Sequence, residues 1–129
     1  MKKVLVFGAS GETGRYFVDY FLEHDSNHEY ELIAIGNRKT TFFEEYFHIP
    51  YIQMNIVDKI EFTKLPQEGI HAVVDLAGYM PARCDREYTE KMFNVNLMGT
   101  LNILNYCVEV KADRILFAQS FGDSVAKPL

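Results

Sequence analysis

The sequence predicts an α/β protein with a doubly wound parallel sheet and helices on both of its faces. Three observations support this fold class: short apolar runs alternate with helical patterns, the first run ends at a glycine cluster, and no internal repeat interrupts the order. Strands that alternate with helices pair in parallel through right-handed crossovers, and a doubly wound unit then has the strand order 3-2-1-4-5. The 129 residues, 48% of them hydrophobic, suit one ordinary domain.

The first half of the chain contains three predicted strands. Val4–Phe7 is a short apolar run that ends at Gly8, as expected for a strand buried on both faces. Aromatic residues then recur at spacings of three and four, which predicts a helix over about Glu12–Glu23. Tyr30–Ile35 is the second strand and Tyr51–Met54 is a weaker third strand. A short helix is expected between these two.

The next segment predicts a capped helix and the strongest strand of the chain. Asp58 and Glu61 have the spacing of a capping box, so a short helix is expected to begin at Asp58 and to run to Leu65. The run His71–Ala77 is rich in apolar residues and is followed by glycine, which predicts the fourth strand.

A long helix and a fifth strand complete the predicted order. Apolar residues at helical spacing predict a helix over about Glu87–Val110. They are Met92, Val95, Leu97, Leu101, Leu104 and Val108. Arg114–Ala118 is the fifth predicted strand.

The composition excludes several classes of protein. Eighteen acidic and 13 basic side chains give a net charge of −5, and no Lys and Arg cluster suits a nucleic acid. The apolar runs fall far short of the roughly 20 residues that span a bilayer, so no membrane partner is expected. Cys84 and Cys107 form no CxxC pair, which favours a reduced, cytoplasmic protein.

The four His residues lack metal-ligand spacing, and no metal site is expected.

Three glycines at intervals of three lie between the first strand and the first helix. Gly8 permits a tight turn, Gly11 lets the backbone approach a pyrophosphate, and Gly14 lets the helix pack closely on the strand. Free N–H groups at the start of the helix attract the anion. A glycine-rich turn without a ligand is the alternative. The flanking strand and helix favour a phosphate-binding loop of the Rossmann-like kind.

The loop Gly8–Gly14 resembles the G-x-x-G-x-x-G loop of the short-chain dehydrogenase/reductase superfamily. Asn55–Asp58 resembles the turn beside the adenine in these proteins, and Leu76–Gly78 resembles the end of their fourth strand. Asn96–Leu104 resembles their N-V-x-G-T-x-N-L-L helix, and Ser120 resembles the active-site serine that follows the fifth strand. The helix pattern indicates the extended branch, the NAD-dependent epimerases and dehydratases that act on nucleotide sugars.

This resemblance implies one catalytic residue and a set of cofactor-binding residues. Ser120 is the implied catalytic residue, but no Tyr-x-x-x-Lys pair follows it. Residues 1–129 are therefore expected to be the NAD(P)-binding part of an enzyme, truncated before that pair and inactive alone; a complete gene product is the alternative. The implied cofactor-binding residues are Gly8, Ser10, Gly11, Glu12, Thr13, Gly14, Asn37, Arg38, Asn55, Ile56, Ala77, Gly78, Tyr79 and Asn96.

The end of the second strand bears on the choice between NADP and NAD. An acid there accepts hydrogen bonds from the ribose 2′-OH, whereas a basic side chain pairs with a 2′-phosphate. The segment Gly36–Lys39 contains no acid, so Arg38 favours NADP. Asn37 could still bind a free ribose hydroxyl, and a solvated basic loop is the structural alternative.

Four other polar residues each have two interpretations. Asp58 caps a helix, contacts the adenine, or does both. Asp75 is expected to be hydrogen-bonded near the end of its strand rather than catalytic. Tyr79 either borders the nicotinamide or substrate or packs within its loop. Asn96 either supports the active site through hydrogen bonds or lies at the surface.

The resemblance implies hydride transfer to and from nicotinamide in a nucleotide-sugar epimerase or dehydratase, with NADP slightly favoured over NAD. An atypical NADP-binding protein of the superfamily, which senses the cofactor or binds a partner without turnover, is the alternative. A reductase of small carbonyl compounds is a third interpretation. Related enzymes often pair through their long helices, so a homodimer is a further expectation.

Overall fold

The computed structural model describes residues 1–79 and 86–118 and contains a five-stranded parallel sheet. The strand order is β3-β2-β1-β4-β5, so the predicted fold class and strand order are confirmed. The strands are β1 (Lys2–Phe7), β2 (Tyr30–Gly36), β3 (Tyr51–Gln53), β4 (Ile70–Asp75) and β5 (Arg114–Phe117).

The connections between the strands are helical. They are α1 (Glu12–His24), a π-helical turn over Phe43–Phe47, a 3₁₀ helix over Lys59–Lys64, α2 (Arg86–Phe93), a second π-helical turn over Asn94–Gly99, and α3 (Thr100–Glu109). The helices of residues 1–79 and 86–118 are too short or too polar to cross a bilayer.

The central strand β1 separates two hydrophobic layers. Leu5 and Phe7 point into the layer that contains Ile103 of α3, whereas Val4 and Val6 point into the layer that contains Val18 of α1. Successive side chains of a strand point to opposite faces, so an unbroken apolar run is what a strand with helices on both faces requires. All four side chains are buried accordingly.

The predicted long helix forms, but as α2, a π-helical turn and α3 in succession. Its buried face carries Ile103, Tyr106 and Cys107, which pack against the sheet. Most of the apolar residues on which the prediction rested lie on the opposite face; Leu101 is 45% exposed and Val108 is 77% exposed. The helix therefore has two apolar faces, and the sheet covers only one of them.

The predicted helix at Asp58 is the 3₁₀ helix Lys59–Lys64. The Asp58 carboxylate accepts a hydrogen bond from the Ile60 N–H at 3.2 Å, so Asp58 is its N-cap. The reciprocal half of a capping box does not form, because the Asp58 N–H donates to the Asn55 carbonyl. The Glu61 carboxylate forms an ion pair with Lys64 instead. The cap prediction is confirmed, and the capping box is wrong.

Candidate functional site

A cavity of about 310 Å³ opens where the chain leaves the carboxyl ends of β1, β2 and β4. In a doubly wound sheet this is the point where the strand order reverses, and ligands bind in the crevice there. Most of the predicted cofactor-binding residues line this cavity. They are Gly8, Ser10, Gly11, Asn37, Arg38, Asn55, Ile56, Ala77, Gly78 and Tyr79.

The three glycines of the loop have different structural roles. Gly8 has a φ of +77°, and a Cβ there would lie 2.6 Å from the backbone nitrogen of Ala77. A Cβ on Gly14 would lie 2.6 Å from the Cα of Ala9. A Cβ on Gly11 would meet only the Gly8 carbonyl oxygen, at an ordinary 3.5 Å. Gly8 and Gly14 are therefore required by the fold, whereas Gly11 borders the cavity at the start of α1 and could carry a Cβ without a clash.

Glu12 and Thr13 lie in the first turn of α1 and are exposed, and neither lines the cavity. The start of this helix has no side-chain cap. Its N–H groups are the donors that a bound anion would use. The roles of Glu12 and Thr13 remain predictions.

Asn96 supports one wall of the cavity through hydrogen bonds. Its side-chain oxygen accepts from the Tyr79 N–H at 2.8 Å, and its side-chain nitrogen donates to the Tyr79 carbonyl at 2.9 Å. The side chain is exposed, yet the two bonds hold the backbone of Tyr79, which borders the cavity. This geometry favours the interpretation in which Asn96 supports the site over the interpretation in which it only lies at the surface.

The opposite wall is formed by the turn Asn55–Asp58, and helix α3 holds this turn. The Asn55 side chain accepts a hydrogen bond from the Val57 N–H at 3.0 Å. The buried Asn102 amide donates to the carbonyls of Ile56, at 2.9 Å, and of Val57, at 3.2 Å. Asn96 lies in the π-helical turn that leads directly into α3, so the long helix as a whole fixes both walls of the cavity.

Gly99 lets this helix approach the turn closely. A Cβ on Gly99 would lie 2.5 Å from the Cδ1 of Ile56. The motif Asn96–Leu104 thus combines a hydrogen-bonding asparagine, a close-approach glycine and a second hydrogen-bonding asparagine. Sequence reasoning singled out Asn96 only, although Gly99 and Asn102 belong to the same motif.

Lys91 and Val95 also line the cavity, and sequence reasoning missed both. The Lys91 ammonium lies 4.4 Å from the centre of the Tyr79 ring, within cation–π distance. Their i,i+4 spacing is ordinary for any helix, so the sequence carries no signal that distinguishes them.

Two side chains of β3 anchor the loop that follows β2. The Tyr51 hydroxyl donates to the Arg38 carbonyl, and the Gln53 amide donates to the Asn37 carbonyl at 3.3 Å. The Asn37 and Arg38 side chains are exposed at the rim of the cavity.

Asp75 is hydrogen-bonded at the end of β4, as expected. It is 5% exposed, and its carboxylate accepts from the Ala77 N–H at 3.0 Å. Burial raises the pKa of this carboxyl, and the hydrogen bond opposes the shift. Asp75 does not line the cavity, which agrees with its structural interpretation.

The two cysteines and Ser120 complete the set of residues that the sequence analysis singled out. One of them is a core residue, and the other two lie outside the described part of the chain. Cys107 is buried in the layer beneath α3, and burial raises its thiol pKa to about 11, which disfavours the reactive thiolate. Ser120 and Cys84 lie outside the described residues. Among the residues that are described, no group of three or more His, Cys, Asp or Glu side chains could hold a metal ion.

A family model described as "NAD dependent epimerase/dehydratase family" matches residues 4–128. The chain belongs to this family. The resemblance to the extended short-chain dehydrogenase/reductases is thereby confirmed. A curated relative from Methanocaldococcus jannaschii, named "Putative UDP-glucose 4-epimerase", is 27% identical over 127 residues, which are 97% of this chain and 40% of the relative.

Solved structures of other proteins share the fold. A short-chain dehydrogenase/reductase superfamily protein from Agrobacterium tumefaciens with bound NAD has a TM-score of 0.74 and 22% identity, over 94% of this chain and 33% of that one. The ADP-L-glycero-D-manno-heptose-6-epimerase of Helicobacter pylori has a TM-score of 0.76 and 15% identity, over 99% of this chain and 42% of that one. The chain thus spans less than half the length of the curated relative and of each of these two proteins.

Proposed function

We propose that residues 1–129 form the NAD(P)-binding part of a nucleotide-sugar epimerase or dehydratase, and that they bind NADP in preference to NAD. The observation that carries the proposal is the position of Gly11, which lines the cavity at the start of α1, where the strand order reverses. A backbone without a Cβ beside uncapped N–H groups can approach a pyrophosphate closely.

In this proposal each wall of the cavity binds one part of the dinucleotide. The bound cofactor supplies hydride transfer at the nicotinamide ring. The N–H groups at the start of α1 bind the pyrophosphate, and Arg38 pairs with the 2′-phosphate at the rim. Ile56 covers the adenine, and Tyr79 borders the nicotinamide. Ser120 holds a hydroxyl of the nucleotide-sugar substrate, as its motif implies.

The test is calorimetric binding of NADPH and NADH to the wild-type chain and to Arg38→Ala. The wild-type chain is expected to bind both and to prefer NADPH. Arg38→Ala is expected to weaken NADPH binding by roughly tenfold or more, because a hydrogen bond to a charged group contributes about 1.5–3 kcal/mol. NADH binding should change little. An equal loss for both cofactors would remove the argument for NADP, and no binding of either would refute the dinucleotide site.

We further propose that a second copy of the chain covers the outer apolar face of the long helix. This outer face is formed by exposed side chains at intervals of three and four residues, a stripe along one side of the helix. They are Phe93, Leu97, Leu101, Leu104 and Val108.

The stripe is self-complementary in an antiparallel pair. With the two-fold axis midway between Leu97 and Leu104, these two residues lie opposite each other in the two copies. This self-complementary contact favours a second copy over an unrelated partner.

Leu101→Glu is expected to convert a dimer into a monomer. Leu101 lies beside the proposed two-fold axis, so the substitution would bring two carboxylates together in an apolar contact. Sedimentation velocity of the two chains measures this change. Tyr20→Glu, at a 64% exposed position on α1, is the matched control and should sediment like the wild type. A wild-type chain that sediments as a monomer at every concentration would contradict the proposal.

A further inference from the structure

The Tyr51 hydroxyl lies where three segments of the cofactor-facing edge meet. Tyr51 is the first residue of β3 and pairs with Ala34 of β2. Its hydroxyl donates a hydrogen bond to the carbonyl of Arg38, in the loop after β2. The Ser10 side chain, in the glycine loop, and the Tyr51 hydroxyl both lie beside Gly36. Tyr51 therefore ties β3 to the loop that carries Arg38.

The direction of this hydrogen bond follows from a proton count. The phenol has one proton, and the Arg38 carbonyl, which can only accept, receives it.

Gly36 provides the space for the hydroxyls of Ser10 and Tyr51. A Cβ on Gly36 would lie 2.5 Å from the Ser10 hydroxyl oxygen and 2.7 Å from the Tyr51 oxygen. Both hydroxyls therefore pack directly on the backbone at the end of β2. The Tyr51 ring is held separately, by a parallel stack on Phe43 with 5.2 Å between ring centres. The ring position thus has a support that does not depend on the hydroxyl.

The hydroxyl stays protonated at neutral pH. Burial raises the pKa of Tyr51 above its ordinary value, while the nearby Ser10 hydroxyl and the positive charge of Arg38 act in the opposite direction. Tyr51 is therefore a donor to the Arg38 carbonyl rather than a charged partner of the guanidinium. Its action on Arg38 is to fix the backbone from which that side chain extends.

We propose that Tyr51 is a positioning residue that determines the preference for NADPH over NADH, because its hydroxyl fixes the backbone of Arg38 at the ribose end of the cavity. This inference rests on the proposed binding of NADP by Arg38. A cation held in place before binding loses less conformational entropy when it pairs with a phosphate, so affinity increases for the ligand that carries that phosphate. A ligand without a 2′-phosphate gains no affinity from the fixed position of Arg38.

The test compares Tyr51→Phe with the wild-type chain. The variant keeps the ring stacked on Phe43 and removes only the hydroxyl. Calorimetry should show NADPH binding weakened about fivefold and NADH binding unchanged within about twofold. The pair 2′,5′-ADP and 5′-AMP should repeat this difference, because the two compounds differ only by the 2′-phosphate. Tyr46→Phe removes a hydroxyl from a 67% exposed ring and is the matched control.

The possible outcomes separate the inference from the proposed function. Equal weakening of NADPH and NADH by Tyr51→Phe, or no weakening of either, would overturn the role of Tyr51 while leaving the dinucleotide site intact. A wild-type chain that binds neither cofactor would overturn both proposals. If Tyr51 acts through Arg38, the variant that carries both Tyr51→Phe and Arg38→Ala should keep the same ratio of NADPH to NADH affinity as Arg38→Ala alone. Additive losses in the double variant would contradict a positioning role.

Discussion

Gly14→Ala is expected to lower the free energy of unfolding by about 3 kcal/mol, the upper range for an overpacked site. The added Cβ would lie 2.6 Å from the Ala9 Cα and 2.8 Å from the Ala9 carbonyl carbon. These are backbone atoms of the turn between β1 and α1, so no side-chain rotation can relieve the contact. Either α1 must move away from the sheet or the turn must deform. Urea unfolding followed by circular dichroism measures the loss.

Gly11→Ala is the matched control for this prediction, since it places the same methyl group three residues earlier. The backbone of Gly11 is extended, with φ −78° and ψ 172°, and its Cβ would make only an ordinary contact at 3.5 Å. The expected stability loss is under about 1 kcal/mol, the scale of an N-cap change. Dinucleotide binding should nevertheless weaken strongly, because the methyl group occupies the space proposed for the pyrophosphate. Equal stability of the two variants would contradict the assigned roles of the glycines.

Phe7→Ala is expected to destabilise the fold by about 3–5 kcal/mol. Phe7 is the last residue of β1, is 0% exposed, and stacks on Phe62 with 6.1 Å between ring centres. Its removal would leave a void between the central strand and the 3₁₀ helix, at the base of the cavity that Phe7 also lines. The same urea titration measures the effect.

The control for Phe7→Ala is Tyr16→Ala, which removes an aromatic ring that is 69% exposed on α1. A change within about 0.5 kcal/mol is expected for this surface position. A loss of less than about 1 kcal/mol for Phe7→Ala would show that the layer beneath α3 closes around the void, contrary to the close packing described above.

Much of the fold could be predicted because it depends on local sequence patterns. The unbroken apolar run of β1 requires cover on both faces, and the glycines at 8, 11 and 14 locate the turn into α1. The alternation of strands and helices then leaves few possible topologies. These signals lie within short windows of the sequence, where periodicity and backbone freedom are directly visible.

The parts that could not be predicted depend on contacts between distant segments. The long helix has apolar residues on two sides, and periodicity alone does not indicate that Ile103 and Tyr106 face the sheet while Leu101 faces outward. The hydrogen bonds from Tyr51 to Arg38 and from Asn102 to Ile56 span 13 and 46 residues. No local pattern identifies such pairs, so sequence reasoning placed neither Tyr51 nor Asn102 at the site.

The long helix carries the supports of both cavity walls on one side and the uncovered apolar stripe on the other. Asn96 holds the backbone of Tyr79 and Asn102 holds the turn at Ile56, so any rotation of this helix moves the backbone on both sides of the crevice. The two surfaces thus share one structural element. If a partner on the stripe changes the affinity for a ligand in the crevice, thermodynamic reciprocity requires that the ligand change the affinity for the partner by the same factor.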